Sequence, residues 1–212
     1  RQKGRRTGIC ALFYGGPGVG KTETIRQIAK ATGRDIFMVD MALKSKWIGE
    51  SEKNLKQVFK TYKRLVRESE VAPILLFNEA DAIFGKRLVE ETSAEKLNNA
   101  LQNIILQEME DLEGILIATT NMTKSFDAAF ERRFLYKVLF KTPSVGVKAK
   151  IWKAMVDDIS DSDAESLAAR YSFTGGQIEN ITRKLDVEYV LYGNAPDLEK
   201  IHVLCKSEGI QE

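Results

Sequence analysis

Apolar residues fall along this chain in two rhythms. Short apolar runs occupy residues 9–14, 36–40, 74–78, 115–120 and 136–140. Their length and composition predict strands buried on both faces. Between most of them the spacing is helical: Leu55, Val58, Phe59, Tyr62, Leu65 and Val66 recur at steps of three and four, as do Leu97, Leu101, Ile104, Ile105, Met109 and Leu112. Strand alternating with helix predicts an α/β fold, a mostly parallel sheet sandwiched by helices.

After Pro143 only the helical rhythm remains. Ile151, Trp152, Met155, Val156 and Ile159 predict one helix, residues 163–170 a second, Ile178, Ile181, Leu185 and Val190 a third, and the stretch from Asp197 a fourth. Pro17 sits in a glycine-rich loop, Pro73 and Pro143 flank apolar runs, and Pro196 precedes the last helix, so no proline interrupts a periodic segment. The expected organisation is an α/β domain over residues 1–142 followed by a small all-helical domain over 143–212. The acidic cluster at 108–113 lies beside apolar helical positions and reads as a solvated face.

Composition removes several classes. With 212 residues, 43% of them hydrophobic, the chain can bury a large core and a small companion. Its longest uncharged run, residues 7–20, contains five glycines and falls short of a membrane span, so no membrane partner is expected. Two cysteines, Cys10 and Cys205, exclude a disulfide scaffold and predict a reducing, cytoplasmic setting. The single histidine, His202, leaves no His-based zinc site and no Ser-His triad, and reads as an ordinary helix residue. A start at Arg1 without Met or an apolar leader reads as a fragment of a longer protein.

One motif carries chemistry by itself. Gly15-Gly16-Pro17-Gly18-Val19-Gly20-Lys21-Thr22 fits G-x-x-x-x-G-K-[ST], follows a predicted strand and opens a predicted helix. Glycines let backbone N–H groups converge on phosphate oxygens, and the helix N-terminus adds a favourable dipole. Lys21 can bridge the β- and γ-phosphates, while the Thr22 hydroxyl is a ligand for Mg2+. The loop predicts nucleotide binding through Gly16, Pro17, Gly18, Val19, Gly20, Lys21 and Thr22.

A second polar cluster follows the strand at 74–78: Asn78-Glu79-Ala80-Asp81. In a parallel sheet those residues reach the carboxyl edge beside the phosphate loop. Glu79 is the candidate to polarise the water that attacks the γ-phosphate, whereas Asp81 suits a carboxylate satisfied by backbone N–H groups at a helix start. Asn78 stands where a phosphate-loop NTPase usually carries Asp as its magnesium-holding residue. An amide oxygen still accepts a hydrogen bond but brings no charge, which predicts a weakened metal site and slow hydrolysis.

At this point the sequence resembles an AAA+ ATPase module, from Gly8 to about Leu191. Residues 77–81 resemble the family's Walker B segment, with Asn78 as the departure. Ile115-Leu116-Ile117-Ala118-Thr119-Thr120-Asn121 resembles the strand ending in the sensor-1 residue, making Asn121 the implied partner of the γ-phosphate or attacking water; by itself, Thr-Thr-Asn also reads as a turn cap. Phe126-Asp127-Ala128-Ala129-Phe130-Glu131-Arg132-Arg133-Phe134 resembles the arginine-finger segment. Two adjacent arginines are otherwise ordinary surface charges with ion-pair partners. The resemblance implies that Arg132 and Arg133 reach a neighbouring subunit's nucleotide, which demands a homo-oligomer, expected as a homohexamer.

Lys46-Trp47-Ile48-Gly49-Glu50 resembles the aromatic-hydrophobic-glycine pore loop of AAA+ protein translocases, so Trp47 and Ile48 are expected to grip a protein substrate; the alternative is that Trp47 packs on the core. Phe173-Thr174-Gly175-Gly176-Gln177-Ile178 resembles the lid turn near adenine, which carries over Gly175, Gly176 and, more distantly, Ile151. No arginine occupies the usual sensor-2 position, and ATP as the nucleotide follows from the family alone. The expected activity is ATP-driven remodelling or unfolding of protein substrates. A rival from another class is a nucleotide-gated assembly or scaffold protein with little turnover. A nucleic-acid loader or translocase finds support in Lys44, Lys46 and the basic N-terminus, but 32 basic against 30 acidic residues is a poor balance for tracking phosphates.

Overall fold

A computed structural model of the protein describes residues 8–40, 51–84, 93–122, 126–193 and 197–208. The chain forms two compact units: one combines Arg1–Gly15 with Lys21–Phe140, the other Gly16–Gly20 with Lys141–Glu212.

The first unit runs β1 (Ile9–Tyr14), α1 (Lys21–Thr32), β2 (Ile36–Asp40), α2 (Ser51–Glu68), β3 (Ile74–Asn78), α3 (Asp81–Phe84), α4 (Ser93–Glu110), β4 (Ile115–Thr120), α5 (Ala128–Glu131) and β5 (Tyr136–Leu139). Its strands form a parallel sheet in the order β2-β3-β4-β1-β5. The two-residue period of each strand sorts side chains between the faces. Ala11, Phe13, Ile74, Leu76 and Ile117 pack with Ile25 and Ala29 of α1 on one face. Cys10, Leu12, Leu75, Phe77, Leu116 and Ala118 pack with Leu55, Phe59 and Tyr62 of α2 and Leu101, Ile105 and Met109 of α4 on the other. Apolar groups on both faces explain why β1, β3 and β4 read as unbroken apolar runs.

Burial on both faces fails at the sheet margins. β5 has β1 as its strand neighbour, and Tyr136 and Leu139 are 57% and 44% exposed. Met38 on β2, at the opposite margin, is 54% exposed. An edge strand has one flank without a strand, so helices crossing the sheet centre cover it less fully.

Tyr62 ties α2 to the sheet. It is fully buried, and its hydroxyl accepts the Ile115 N–H at 2.8 Å with the carbonyls of Pro73 and Ile115 each at 2.9 Å. Burial pushes the Tyr62 phenol above its ordinary pKa, with hydrogen bonding opposing part of the rise.

The second unit contains α6 (Val145–Met155), α7 (Asp161–Arg170), α8 (Gly175–Tyr192) and α9 (Leu198–Glu208). Trp152, Leu167, Phe173, Ile178, Ile181, Leu185, Ile201 and Cys205 form its core. Thr174 opens α8 with a capping box, its hydroxyl accepting from the Gln177 N–H while the Gln177 side chain accepts from the Thr174 N–H. The helix predicted from Ile151 through Ile159 both begins and ends earlier than expected. It starts at Val145 and stops at Met155, where Val156 turns extended and Asp158 takes a φ of 60°. Val156 stays buried beyond the helix end, so its place in the apolar rhythm reflects core contact, not helical continuation. His202 is half-buried and bonded to the Tyr171 hydroxyl at 3.0 Å, as an ordinary helix residue would be.

Candidate functional site

The carboxyl ends of β1, β3 and β4 lie side by side because these strands are neighbours and all run the same way. Gly15, Asn78 and Asn121 stand at or just beyond those ends, and α1 begins at Lys21. The Lys21 side chain folds back: its ammonium donates to the Gly15 carbonyl at 2.7 Å and to Asn121 Oδ1 at 2.9 Å. Burial lowers its pKa, while the negative charges of Asp81 and Glu79 act in the opposite sense.

Asn78 Oδ1 is met by two hydroxyls, Thr22 Oγ1 at 3.2 Å and Thr119 Oγ1 at 3.0 Å. The Thr22–Asn78 and Lys21–Asn121 pairs are joined through the chain, Lys21 and Thr22 being consecutive at the start of α1. Glu79, next along, is exposed and adopts a φ of 54°, a left-handed conformation unfavourable for a residue with a side chain. Its N–H donates to Thr119 Oγ1 at 3.1 Å, and the following Ala80 N–H donates to the Thr119 carbonyl at 2.9 Å. The strained turn is thus held by the end of β4 and leaves the carboxylate facing solvent.

Asp81 was expected to be satisfied by backbone N–H groups, and it accepts the Asn121 N–H at 2.8 Å together with the Thr120 hydroxyl. These partners lie at the end of β4 and in the turn after it rather than at the start of its own helix, so Asp81 fixes the turn that carries Asn121. Thr119 is the site residue that strand patterning passed over. The available signal was two consecutive hydroxyls at the end of an apolar strand.

The loop Gly16–Gly20 clusters with the helical unit. Gly18 has a φ of 69°, and a Cβ there would stand 2.6 Å from Thr174 Oγ1. The Gly176 N–H donates to the Gly18 carbonyl at 2.9 Å, so two backbones approach where neither has room for a side chain. At Gly16 and Gly20 an added Cβ would meet open space. Pro17 is exposed and Val19 half-buried. Ile151 is half-buried, its Cδ1 3.6 Å from the Cβ position of Gly175.

The two arginines separate. Arg133 is bound within its own chain, Nε to the Leu106 carbonyl at 3.1 Å, an NH group to the Ala129 carbonyl at 3.0 Å, and an ion pair to Glu110. The Arg132 guanidinium is exposed and makes no hydrogen bond or ion pair among the described residues. The acidic cluster at 108–113 is accordingly more than a solvated face, because Glu110 holds Arg133 and Glu108 pairs with Lys63 at 2.6 Å. Trp47 and Ile48 lie outside the described residues. Two depressions of about 430 Å³ run along α2, lined mostly by lysine and arginine side chains, and share no residue with this cluster.

The donor set suits a hydrated Mg2+ with a phosphate chain. Hydroxyl and amide oxygens are hard ligands, Lys21 supplies a buried cation, and Gly16 and Gly20 leave open approaches to the loop. A family model described as ATPase family associated with various cellular activities (AAA) matches residues 11–142. Protein CdcH of Halobacterium salinarum is 31% identical over 213 residues, covering 94% of this chain and 28% of that protein. Cell division protein C of Sulfolobus acidocaldarius is 26% identical, covering 84% of this chain and 50% of its own length. Mouse vacuolar protein sorting-associated protein 4B is 29% identical, covering 81% and 40%. The chain thus spans between 28% and 50% of the length of these relatives.

Proposed function

This chain belongs to the AAA family of ATPases, and we propose that it binds ATP at the loop 15–22, hydrolyses it, and uses the cycle to remodel or unfold protein substrates. The convergence of Lys21, Thr22, Asn78 and Asn121 at adjacent strand ends, with a glycine-rich run directly preceding Lys21 in sequence, carries this reading. The main chain of Gly16–Gly20 would cradle the phosphates, with Gly175, Gly176 and Ile151 near the base. Lys21 would exchange the Gly15 carbonyl for phosphate oxygens, which its lowered pKa favours, since phosphate repays the burial of an ammonium. Thr22 and Asn78 would hold Mg2+, which supplies neutralisation of charge on the β- and γ-phosphates.

Glu79 orients the attacking water, and its exposed carboxylate on a strained turn is free to do so. Asn121 positions the γ-phosphate or that water. Arg132 serves a neighbouring subunit's nucleotide in a homohexameric ring, its exposed guanidinium, without an ion pair among the described residues, supporting that role, while Arg133 braces the segment from within. Trp47 and Ile48 grip the polypeptide being moved.

Steady-state ATP hydrolysis by the full chain, with Glu79→Gln as the inactive control, tests the reading. Turnover above the control is expected. A second reading, a nucleotide-gated scaffold, draws on the neutral Asn78; it wins if ATP binds but turnover equals that of the control.

A further inference from the structure

Asn78 serves a magnesium site only when its amide faces the right way. One side of an amide is an acceptor oxygen and the other a two-proton donor. Hydrated Mg2+ and a metal-ligating hydroxyl both present donors, so the oxygen must face them. An aspartate at this position has no such choice, because both its oxygens accept.

The neighbour on β4 removes the ambiguity. Phe77 pairs with Ala118 across β3 and β4, so the next residues along, Asn78 and Thr119, come abreast at the strand ends. Thr119 Oγ1 accepts the Glu79 N–H at 3.1 Å and lies 3.0 Å from Asn78 Oδ1. Thr119 is 2% exposed, and its hydroxyl makes no other hydrogen bond among the described residues. A buried hydroxyl that donates to nothing is costly. Its proton therefore goes to Asn78, and the atom receiving it has to be the oxygen.

We propose that Thr119 is the positioning residue of the metal site, its hydroxyl locking the Asn78 amide oxygen toward Thr22 while holding the main chain of Glu79. One hydroxyl then couples the metal-holding residue to the carboxylate beside it and lets an asparagine stand in for an aspartate. The inference rests on the ATP and magnesium reading above.

The test titrates Mg2+ against binding of a fluorescent ATP analogue to the full chain, in wild type, Thr119→Val, Thr119→Ser, Asn78→Asp and the Asn78→Asp/Thr119→Val double variant. Thr119→Val is expected to raise the Mg2+ concentration needed by about fivefold, the equivalent of one net hydrogen bond. Thr119→Ser, which keeps the hydroxyl, restores the wild-type curve. In the Asn78→Asp background the same valine substitution costs about twofold or less, because the coupling between the two positions is gone. An unchanged Mg2+ dependence in Thr119→Val overturns the proposal. So does an equal cost in both backgrounds, which assigns the hydroxyl to Glu79 or to packing alone. Should the valine variant fail to fold, Thr119→Ala carries the same comparison. A wild-type chain that binds no analogue at any Mg2+ concentration refutes the ATP reading itself, an outcome distinct from binding that ignores Thr119.

Discussion

The ammonium of Lys21 and the side-chain oxygen of Asn121 stand 2.9 Å apart, a bond spanning 100 positions of sequence and joining the start of α1 to the turn after β4. Asp81, at the start of α3, fixes that turn by taking the Asn121 N–H. The lysine is thereby held at the strand ends, against the turn that follows β4.

Removing Asn121 separates binding from chemistry. Lys21 keeps its bond to the Gly15 carbonyl in Asn121→Ala, so nucleotide affinity should move only a few-fold. The hydrolysis rate should fall by about 10²-fold, the cost of losing one preorganised donor at the reacting centre. Equilibrium binding together with single-turnover rates checks this; equal losses in both would assign Asn121 to ground-state binding.

Lys21 also leaves a mark on stability. Its pKa lies at 10.5 in the unfolded chain and lower in the fold, with burial the leading cause. Between the two values the unfolded chain holds the extra proton, so this residue's contribution to stability rises with pH. The penalty for burying the ammonium is full below the folded-state pKa and lifts as pH rises toward 10.5. Denaturation midpoints should show wild type gaining on Lys21→Met across that window. With ATP bound the gain should disappear, since phosphate raises the lysine's pKa. A difference that stays flat without nucleotide would contradict the direction of the shift.

The arginines should part in mutagenesis. Arg133→Ala removes hydrogen bonds to two carbonyls and the pair with Glu110, and should destabilise the chain by about 1.5–3 kcal/mol. Arg132→Ala should stay within about 0.5 kcal/mol of wild type in stability. Its ATPase rate should fall by about 10³-fold or more, the range for a lost arginine finger. Mixing Arg132→Ala subunits with Lys21→Ala subunits should recover part of the rate, because each provides what the other lacks. No recovery would place Arg132 outside any shared site.

Tyr62→Phe tests the brace between α2 and the sheet. It keeps the ring but leaves the Ile115 N–H without the hydroxyl it donates to, at a cost of about 1–3 kcal/mol in denaturant unfolding. ATP binding should be unaffected, since Tyr62 meets the entry ends of β3 and β4, opposite the strand ends that carry the polar cluster.

Much was written locally. The runs that became β1, β3 and β4, the helices α2 and α4, and the loop that ends in Lys21 and Thr22 were legible because periodicity and turn chemistry act over a few residues. The exposure of β5 and the early end of α6 were not, since an apolar run reads alike at a sheet's centre and at its margin. The two arginines are adjacent in sequence, and their separation into a bonded and an exposed side chain came from α4, which brings Leu106 and Glu110 to one of them.

The residue types at the phosphate loop and the acidic strand end, and with them the chemistry on offer, could be read from the chain alone. Which of those groups face each other depended on the fold. Thr119 meets Asn78 across 41 positions only because β3 and β4 pair in one register, and a slip of one residue would turn either side chain to the opposite face. Composition names donors and acceptors, but the direction of a hydrogen bond is settled by what packs beside it.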